Sequence, residues 1–455
     1  MKEPKNKFNI VFFEDFMNTV RSRGTDNALV QNGKNHSYGD LAKAAAQWQE
    51  RFSSLNIVQG MVVGLKTDYS FESISLVLGL LKNKNIVALI PESIQDETPY
   101  IEDGQVQLII RFSKDGKFSS EKFDAKVEHP LLRYLQERGK GGFIIYSSGS
   151  TGKPKAILHD IERFLTKFQS ASKRFRTVLF LLFDHIAGLD TLFYTLSSGG
   201  TTVIPGERSP EAICQLIEAT GAEVLPTSPT FLNLVLLSQA YEKLDLSSLK
   251  IITYGSEPMS RFTLDRITEI FPNARIIQKY GTSEFGSPHT KSMSDNNLWV
   301  KLDSDQFKVK IIENIMWIKA QTAMLGYLNA PNPMDKEGWI CTGDEVEEKD
   351  GWLKILGRLS DIINVGGEKV YPAEVESVIS RLDIVKDVLV KGEKHPFLGQ
   401  CVTAIVVPNI EIEPARMRKE VKSYCKKHLQ SYKVPTKIEL TCEDITSPRH
   451  KKIRR

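Results

Sequence analysis

The chain is poor in the features that usually announce a secreted, membrane or metal-binding protein. Its five cysteines, Cys214, Cys341, Cys401, Cys425 and Cys442, are scattered over 455 residues and never spaced as C-x-x-C. An odd, unclustered set argues against a disulfide framework or a thiolate zinc site and suits reduced thiols in a cytoplasmic protein. Long apolar runs are missing too. The most apolar, residues 178–183, falls far short of the ~20 residues a membrane-spanning helix needs. The opening residues, Met1-Lys2-Glu3-Pro4-Lys5-Asn6-Lys7, hold no apolar segment of signal-peptide length, so a protein without a membrane span is expected. A net charge of +4 is small for this length, and no global field argues for a nucleic-acid partner. Hydrophobic residues at 41% and charged residues at 25% are ordinary for a globular chain, long enough for more than one domain.

What is present is a dense anion-binding composition at one place. Residues Gly142-Phe143-Ile144-Ile145-Tyr146 lead into Ser147-Ser148-Gly149-Ser150-Thr151-Gly152-Lys153-Pro154-Lys155, and Ala156-Ile157-Leu158-His159 lead out. Glycines let backbone N–H groups approach a ligand closely, while hydroxyls and two lysines add donors and charge, so a phosphate is the expected guest. The loop is not a Walker motif: only Ser150 and Thr151 separate its glycines, Pro154 follows Lys153, and the exit run reads as a strand rather than a helix. A G-x-G-x-x-G fingerprint is absent as well. Taken alone, the segment could also be a surface turn.

Along the chain, residues 8–54 read as mostly helical, with apolar positions at helical spacing around Phe12, Phe13, Phe16 and Val20 and again over 41–52. Residues 61–65 read as a buried strand, 71–81 as a helix and 86–91 as the next strand, a spacing that implies a parallel sheet. Residues 113–126 read as a charged, solvated excursion. The strand–helix rhythm then resumes, with strands at 178–183, 201–204, 224–226, 251–253 and 275–277 and helices at 191–196 and 210–219. From about Glu313 short β segments with Gly and Trp punctuation suggest a small barrel-like part. Beyond 357–361 a compact α+β unit is expected, with helices at 372–379 and 414–428 and strands at 385–390 and 402–407. The fold class is therefore α/β: a large N-terminal domain, 1–358, followed by a small C-terminal domain, 359–455.

The 147–155 loop resembles the phosphate-binding signature of the adenylate-forming superfamily, which includes acyl- and aryl-CoA synthetases, adenylation domains and luciferases; the match runs from Ser147 to Lys155 and departs at Ala156. Further matches follow in the superfamily's order. Tyr280-Gly281-Thr282-Ser283-Glu284-Phe285-Gly286 combines an aromatic, a glycine turn, a hydroxyl and a carboxylate. Alone it is equally compatible with a structural turn, although Glu284 suits Mg²⁺, which favours hard oxygen ligands shared with phosphates. The resemblance implies Tyr280 and Gly281 against adenine, Thr282 on the α-phosphate and Glu284 on the metal, with Gly255-Ser256-Glu257-Pro258 as the preceding adenine-side loop. Thr342-Gly343-Asp344 and Gly357-Arg358 match the elements whose carboxylate and guanidinium hold the ribose, although Asp344 by itself reads more simply as a turn residue.

The run from Gly357 to Glu376 resembles the hinge and glycine loop of acyl-CoA synthetases, with Ser360 where Asp or Lys is usual and Gly366 and Gly367 at the pantetheine tunnel. The terminal Lys451-Lys452-Ile453-Arg454-Arg455 reads by itself as a solvated basic tail; by resemblance Lys452 is the catalytic lysine and Lys451 the alternative. His185, Phe231 and Gly286-Ser287-Pro288 stand at the acyl pocket of the family, while Asp184 keeps an amino-acid substrate open. The implied reaction uses ATP and Mg²⁺ to convert a fatty or aryl carboxylic acid to an acyl-adenylate and then a thioester. CoA is the expected acceptor, with a carrier-protein phosphopantetheine as the alternative. A luciferase-like oxygenase and a non-catalytic nucleotide sensor are the competing readings.

Overall fold

The computed structural model describes residues 13–113, 116–148, 153–169, 173–294, 297–302, 306–443 and 445, with only the backbone of Ser148. Two seven-stranded sheets and a six-stranded sheet form a large N-terminal domain, and a five-stranded sheet forms a smaller C-terminal one. The first sheet runs Gly326–Tyr327, Pro154–Asp160, Gly142–Ser148, Ile86–Ile90, Val62–Lys66, Leu108–Phe112 and Phe118–Lys122. Its centre is parallel, as the strand–helix–strand spacing predicts, and both edges are antiparallel. The second sheet runs Arg275–Gln278, Ile251–Tyr254, Val224–Thr227, Arg176–Val178, Thr201–Ile204, Asn27–Gln31 and Lys34–Ser37.

Helix Phe71–Lys82 explains how the two sheets meet. Its residues from Ser73 through Leu81 are all buried, so it has no wet face, which is the signature of a helix enclosed between layers. Ser70 caps it through a reciprocal bond pair with Ser73. Around it one apolar cluster joins Phe13, Phe16, Tyr38, Trp48, Val63, Val87, Phe143, Ile157, Phe164 and Phe193 from both sheets and their helices.

The structure differs from the sequence-based expectation in several places. Residues 8–54 are not mostly helical: between helices Phe13–Ser22 and Tyr38–Arg51 a hairpin intervenes, turned by Asn32 and Gly33 at φ of 49° and 73°. Two left-handed residues in succession make the tight turn whose twist suits a hairpin, and Asn-Gly is its usual sequence. The apolar run at 178–183 contributes only its first residue to strand Arg176–Val178, because Phe180 and Phe183 turn into side-chain packing against Phe231 and Tyr69. The expected helix 191–196 is longer, Ile186–Ser198, starting where the His185 imidazole accepts from the Ala187 N–H. The solvated excursion at 113–126 includes an edge strand, Phe118–Lys122, exposed at every residue. Helices Pro229–Ser238 and Arg261–Ile270 and strand Lys437–Leu440 escaped sequence reading.

The antiparallel β part begins earlier than Glu313, at Thr290–Ser292, and continues through Trp299–Leu302, Trp352–Arg358, Ile340–Lys349, Ile315–Ala320 and Phe307–Ile312. In the C-terminal domain, helices Pro372–Ile379 and Pro414–His428 match the expectation and share their own core with Val388, Val390, Val402 and Val406.

The phosphate-loop hairpin tolerates no bulk at its base. A methyl on Gly142 would lie 2.5 Å from the His159 carbonyl oxygen and 2.7 Å from Leu135 Cδ1. Gly142→Ala is expected to destabilise the domain by about 1–3 kcal/mol, read as a lower urea midpoint at unchanged m-value; an unchanged midpoint would refute this packing account.

Candidate active site

The strands Gly142–Ser148 and Pro154–Asp160 bring Ser147 opposite Lys155 and Ser148 opposite Pro154, at the mouth of the glycine–serine loop. Gly149, Ser150, Thr151 and Gly152 lie outside the described residues, whereas Lys153 is exposed and Lys155 half-buried. The departure at Ala156 is accommodated in the core: its methyl is buried, and its N–H donates to Asn329 Oδ1 at 2.9 Å.

This hairpin is tied to the 280–286 loop by two independent contacts. His159 Nε2 lies 2.8 Å from the Ser283 carbonyl oxygen, which only accepts, so Nε2 carries the proton. The ring stacks on Phe143 at 4.9 Å. Burial pushes the His159 pKa down to about 3, against the raising effect of the Ser283 bond, and keeps the imidazole neutral. The second tie runs through Tyr327 on the neighbouring strand. Its hydroxyl donates to Glu284 Oε1 at 2.7 Å, and the Lys155 ammonium lies 4.9 Å from its ring centroid. Glu284 keeps a second oxygen and is half-buried, which suits a monodentate ligand of a hard cation shared with phosphates. Among the described residues, no group of three His, Cys, Asp or Glu gathers as a ready-made metal cage.

The loop itself is held by the Thr282 and Gly286 backbones, which exchange bonds of 3.3 and 2.9 Å. Gly281 is obligatory, because a methyl there would stand 2.5 Å from the Gly286 oxygen and 2.6 Å from Ser287 Oγ. Tyr280 is buried beside Phe285 and donates its hydroxyl to Asp344 Oδ2 at 2.6 Å. Arg358 Nε lies 3.4 Å from Asp344 Oδ1, since the two residues face each other across paired strands. Burial pushes the Asp344 carboxyl above the usual range, partly offset by Tyr280 and Arg358.

A cavity of about 720 Å³ runs along a face of the second sheet, from the opening residues of strands Val224–Thr227, Ile251–Tyr254 and Arg275–Gln278 to the loops at their carboxyl ends, where open α/β sheets take their ligands. Its lining includes Gly255, Ser256, Gly281, Thr282 and Arg358, together with His185, Ser287 and Pro288. Phe231 does not reach it: the ring is fully buried and packs behind Phe180, which does. Glu257 and Pro258 also turn away, toward a small crevice shared with Ala373, Glu376 and Ser380 of the C-terminal domain. Asp184 is buried and is not part of the cavity lining.

Sequence reading passed over most of the charged residues of this cavity, among them Lys167, Asp190 and Lys279. Lys167 pairs with Asp190, whose other oxygen accepts from the Ser287 N–H at 2.9 Å. Gly286 allows that pair to sit close, because a methyl there would lie 2.6 Å from Lys167 Nζ. Lys279, immediately before Tyr280, also lines the cavity. The available signal was a lysine set in the apolar stretch Phe164-Leu165-Thr166-Lys167-Phe168.

In the C-terminal domain, Ser360 lies in the short turn Leu359–Asp361 and donates to Asp361 Oδ1 at 2.9 Å. Gly366 and Gly367 turn the next hairpin at φ of 59° and 92°, with open space where a Gly367 side chain would stand. The hairpin reaches the large domain through Lys369, 2.7 Å from Glu345 Oε1, beside Asp344. Lys451 and Lys452 lie outside the described residues.

The fold, the glycine–serine hairpin and the Tyr280–Asp344–Arg358 arrangement define a nucleotide-binding class, and the chain belongs to the AMP-binding enzyme family. The family model described as AMP-binding enzyme matches residues 16–306, and that of the AMP-binding enzyme C-terminal domain matches 374–452. Acyl-CoA synthetase 7 of Caenorhabditis elegans is 28% identical over 69% of this chain and 64% of its own length. A 3,4-dihydroxybenzoate–[aryl-carrier protein] ligase of Bacillus anthracis is 28% identical over 91% of this chain and 95% of its own. The chain thus spans less than two thirds of some relatives and nearly all of others. Among solved structures, an anthranilate CoA ligase in complex with anthranoyl-AMP superposes with a TM-score of 0.80 at 19% identity, over 97% of both chains. The o-succinylbenzoate CoA synthetase of Bacillus subtilis gives 0.77 at 19%, over 96% of both. These two likenesses confirm the fold: a large N-terminal sheet domain and a smaller C-terminal one.

The His159 environment generates a pH prediction. Its folded pKa is depressed to about 3, so the unfolded chain binds the extra proton as pH falls below ~6.5, and stability is lost from there toward pH 3. The slope contributed by this group approaches ~1.4 kcal/mol per pH unit. His159→Gln is expected to be less stable at pH 7 but to lose that slope, measured by urea unfolding across pH; an unaltered slope would reject the assignment.

Proposed function

We propose that this protein is an ATP-dependent, AMP-forming acid–thiol ligase that activates a fatty or aryl carboxylic acid as an acyl-adenylate and passes the acyl group to a pantetheine thiol. The observation that carries the reading is the double tie between the phosphate-loop hairpin and the Thr282–Glu284 loop, at the edge of a cavity large enough for an acid and a nucleotide. In this reading Ser147 to Lys155 bind the β- and γ-phosphates, Thr282 the α-phosphate, and Asp344 with Arg358 the ribose. Gly255, Ser256 and Gly281 border the adenine, while His185, Ser287 and Pro288 wall the acyl group. Tyr280 acts by holding Asp344 in place.

Bound at Glu284, Mg²⁺ would supply charge neutralisation to the triphosphate. A carboxylate attacking the α-phosphorus brings anion toward polyanion, and Lys452, arriving from the C-terminal domain, offsets that repulsion in the transition state. Pyrophosphate departs, and a thiol then attacks the acyl carbon and displaces AMP. Rotation about Ser360, between domains 1–358 and 359–455, exchanges Lys452 for the Gly366–Gly367 hairpin. The exposed turn Leu359–Asp361 and the open space over Gly367 support that exchange.

CoA is the acceptor we favour. A carrier-protein phosphopantetheine is the second reading, favoured by the near full-length match to the Bacillus anthracis ligase. Five free cysteines support a cytoplasmic setting, and no helix among the described residues is long and apolar enough to cross a membrane.

Carboxylate-dependent ATP–pyrophosphate exchange across an acid panel, followed by CoA and carrier-protein acceptors, tests the activity. Nucleotide binding with no exchange for any acid would instead identify a sensor. Lys452→Ala should lower adenylation by roughly 10²–10³ while sparing thiolation of preformed acyl-adenylate; equal loss in both half-reactions contradicts its role. Gly367→Leu should leave exchange intact and abolish thioester formation, and a normal thioester rate would remove the tunnel assignment.

A further inference from the structure

The cavity wall is charged in one sense. Its lining contains seven Lys or Arg side chains and one carboxylate, Asp190. Three of the cations are already paired: Lys167 with Asp190, Arg208 with Asp68, and Arg358 with Asp344. Lys173, Arg275 and Lys291 are exposed to solvent. Lys279 is neither. It is half-buried, lines the cavity, and has no hydrogen-bond or ion-pair partner for its ammonium among the described residues.

The backbone holds it there. Lys279 N donates to the Tyr254 oxygen at 2.7 Å, and its own carbonyl oxygen approaches Gly255 so closely that a methyl on that glycine would stand 2.6 Å away. Lys279 shares the cavity wall with the Lys167–Asp190 pair and with Ser287, whose N–H donates to Asp190; Asp190 attracts its ammonium and Lys167 repels it. Asp190 cannot neutralise both lysines: one oxygen serves Lys167 and the other the Ser287 N–H. Half-buried against the cavity wall, the Lys279 ammonium is driven toward its neutral form, chiefly by desolvation. A desolvated cation without a counter-charge is costly, and a ligand anion removes the cost.

We infer that the acid activated here carries a second carboxylate, received by Lys279 on the acyl side while the reacting carboxylate lies at the nucleotide. This rests on the acid–thiol ligase reading and deepens it, from a carboxylic acid of any kind to an acid with an anionic tail or ring substituent. Lys167 and Asp190 act as a fixed wall beside it, because their charges are already spent on each other.

The test compares matched acids, hexanoate with adipate and benzoate with isophthalate and terephthalate, in pyrophosphate exchange. The wild-type enzyme is expected to favour the diacids, and Lys279→Met to lower the ratio of diacid to monoacid kcat/KM by about 10–100-fold, the range for a hydrogen bond to a charged group. Lys279→Arg should keep the diacid preference. Equal losses for diacids and monoacids in Lys279→Met would mean that Lys279 holds the reacting carboxylate, and the inference would be overturned. A wild-type preference for monoacids, or an unaltered ratio in the Met variant, overturns it as well. If no acid supports exchange, the ligase reading fails separately. Thermal-shift titration of the same acids on wild type and Lys279→Met then decides the anion site alone: diacid stabilisation lost in the variant supports it, and identical responses reject it.

Discussion

The site depends on one constraint: two segments far apart in sequence, the Gly142–Asp160 hairpin and the Thr282–Glu284 loop, are held edge to edge. The structure meets it with a neutral buried imidazole and a tyrosine. The His159 bond to the Ser283 carbonyl is made in the core, where water cannot compete and where burial keeps the ring from taking a second proton. The Tyr327 bond to Glu284 is made nearer the surface and leaves one carboxylate oxygen for a cation. Both ties fix position, and the second also aims the Glu284 carboxylate.

Around this brace the cavity inherits its shape from ordinary α/β geometry. Parallel strands end together, their connecting loops gather at one edge, and Gly255, Thr282 and Lys279 arrive there from neighbouring strands. A different layer, the antiparallel sheet, carries Asp344 and Arg358 on facing strands. A site assembled from separate layers can divide its labour between them, with the Asp344–Arg358 pair on one and Gly255, Thr282 and Lys279 on the other. The Lys369–Glu345 pair brings the C-terminal domain against the large one beside Asp344.

Much of this was legible in the residues, and the omissions have physical reasons. Buried strands such as Ile86–Ile90 and amphipathic helices such as Pro414–His428 show themselves through apolar runs and spacing. The run at 178–183 misled because a strand and a packed, non-ladder segment have the same composition, and only the neighbours of Phe180 and Phe183 tell them apart. The helix Pro229–Ser238 was missed although Ser228 caps it and Pro229 opens it, a start signal that lay in plain view.

The sequence alone determined the family resemblance, the α/β class and the short motifs, because glycine turns, hydroxyls and carboxylates at tight local spacing are set by the chain's own geometry. Tertiary structure alone decided that Phe231 is core rather than pocket, that Glu257 turns away, that His159 braces a distant loop and that Lys279 stands in the cavity without a partner among the described residues. Those facts concern what surrounds a side chain, and burial and pairing depend on residues tens to more than a hundred positions away, which local pattern does not encode.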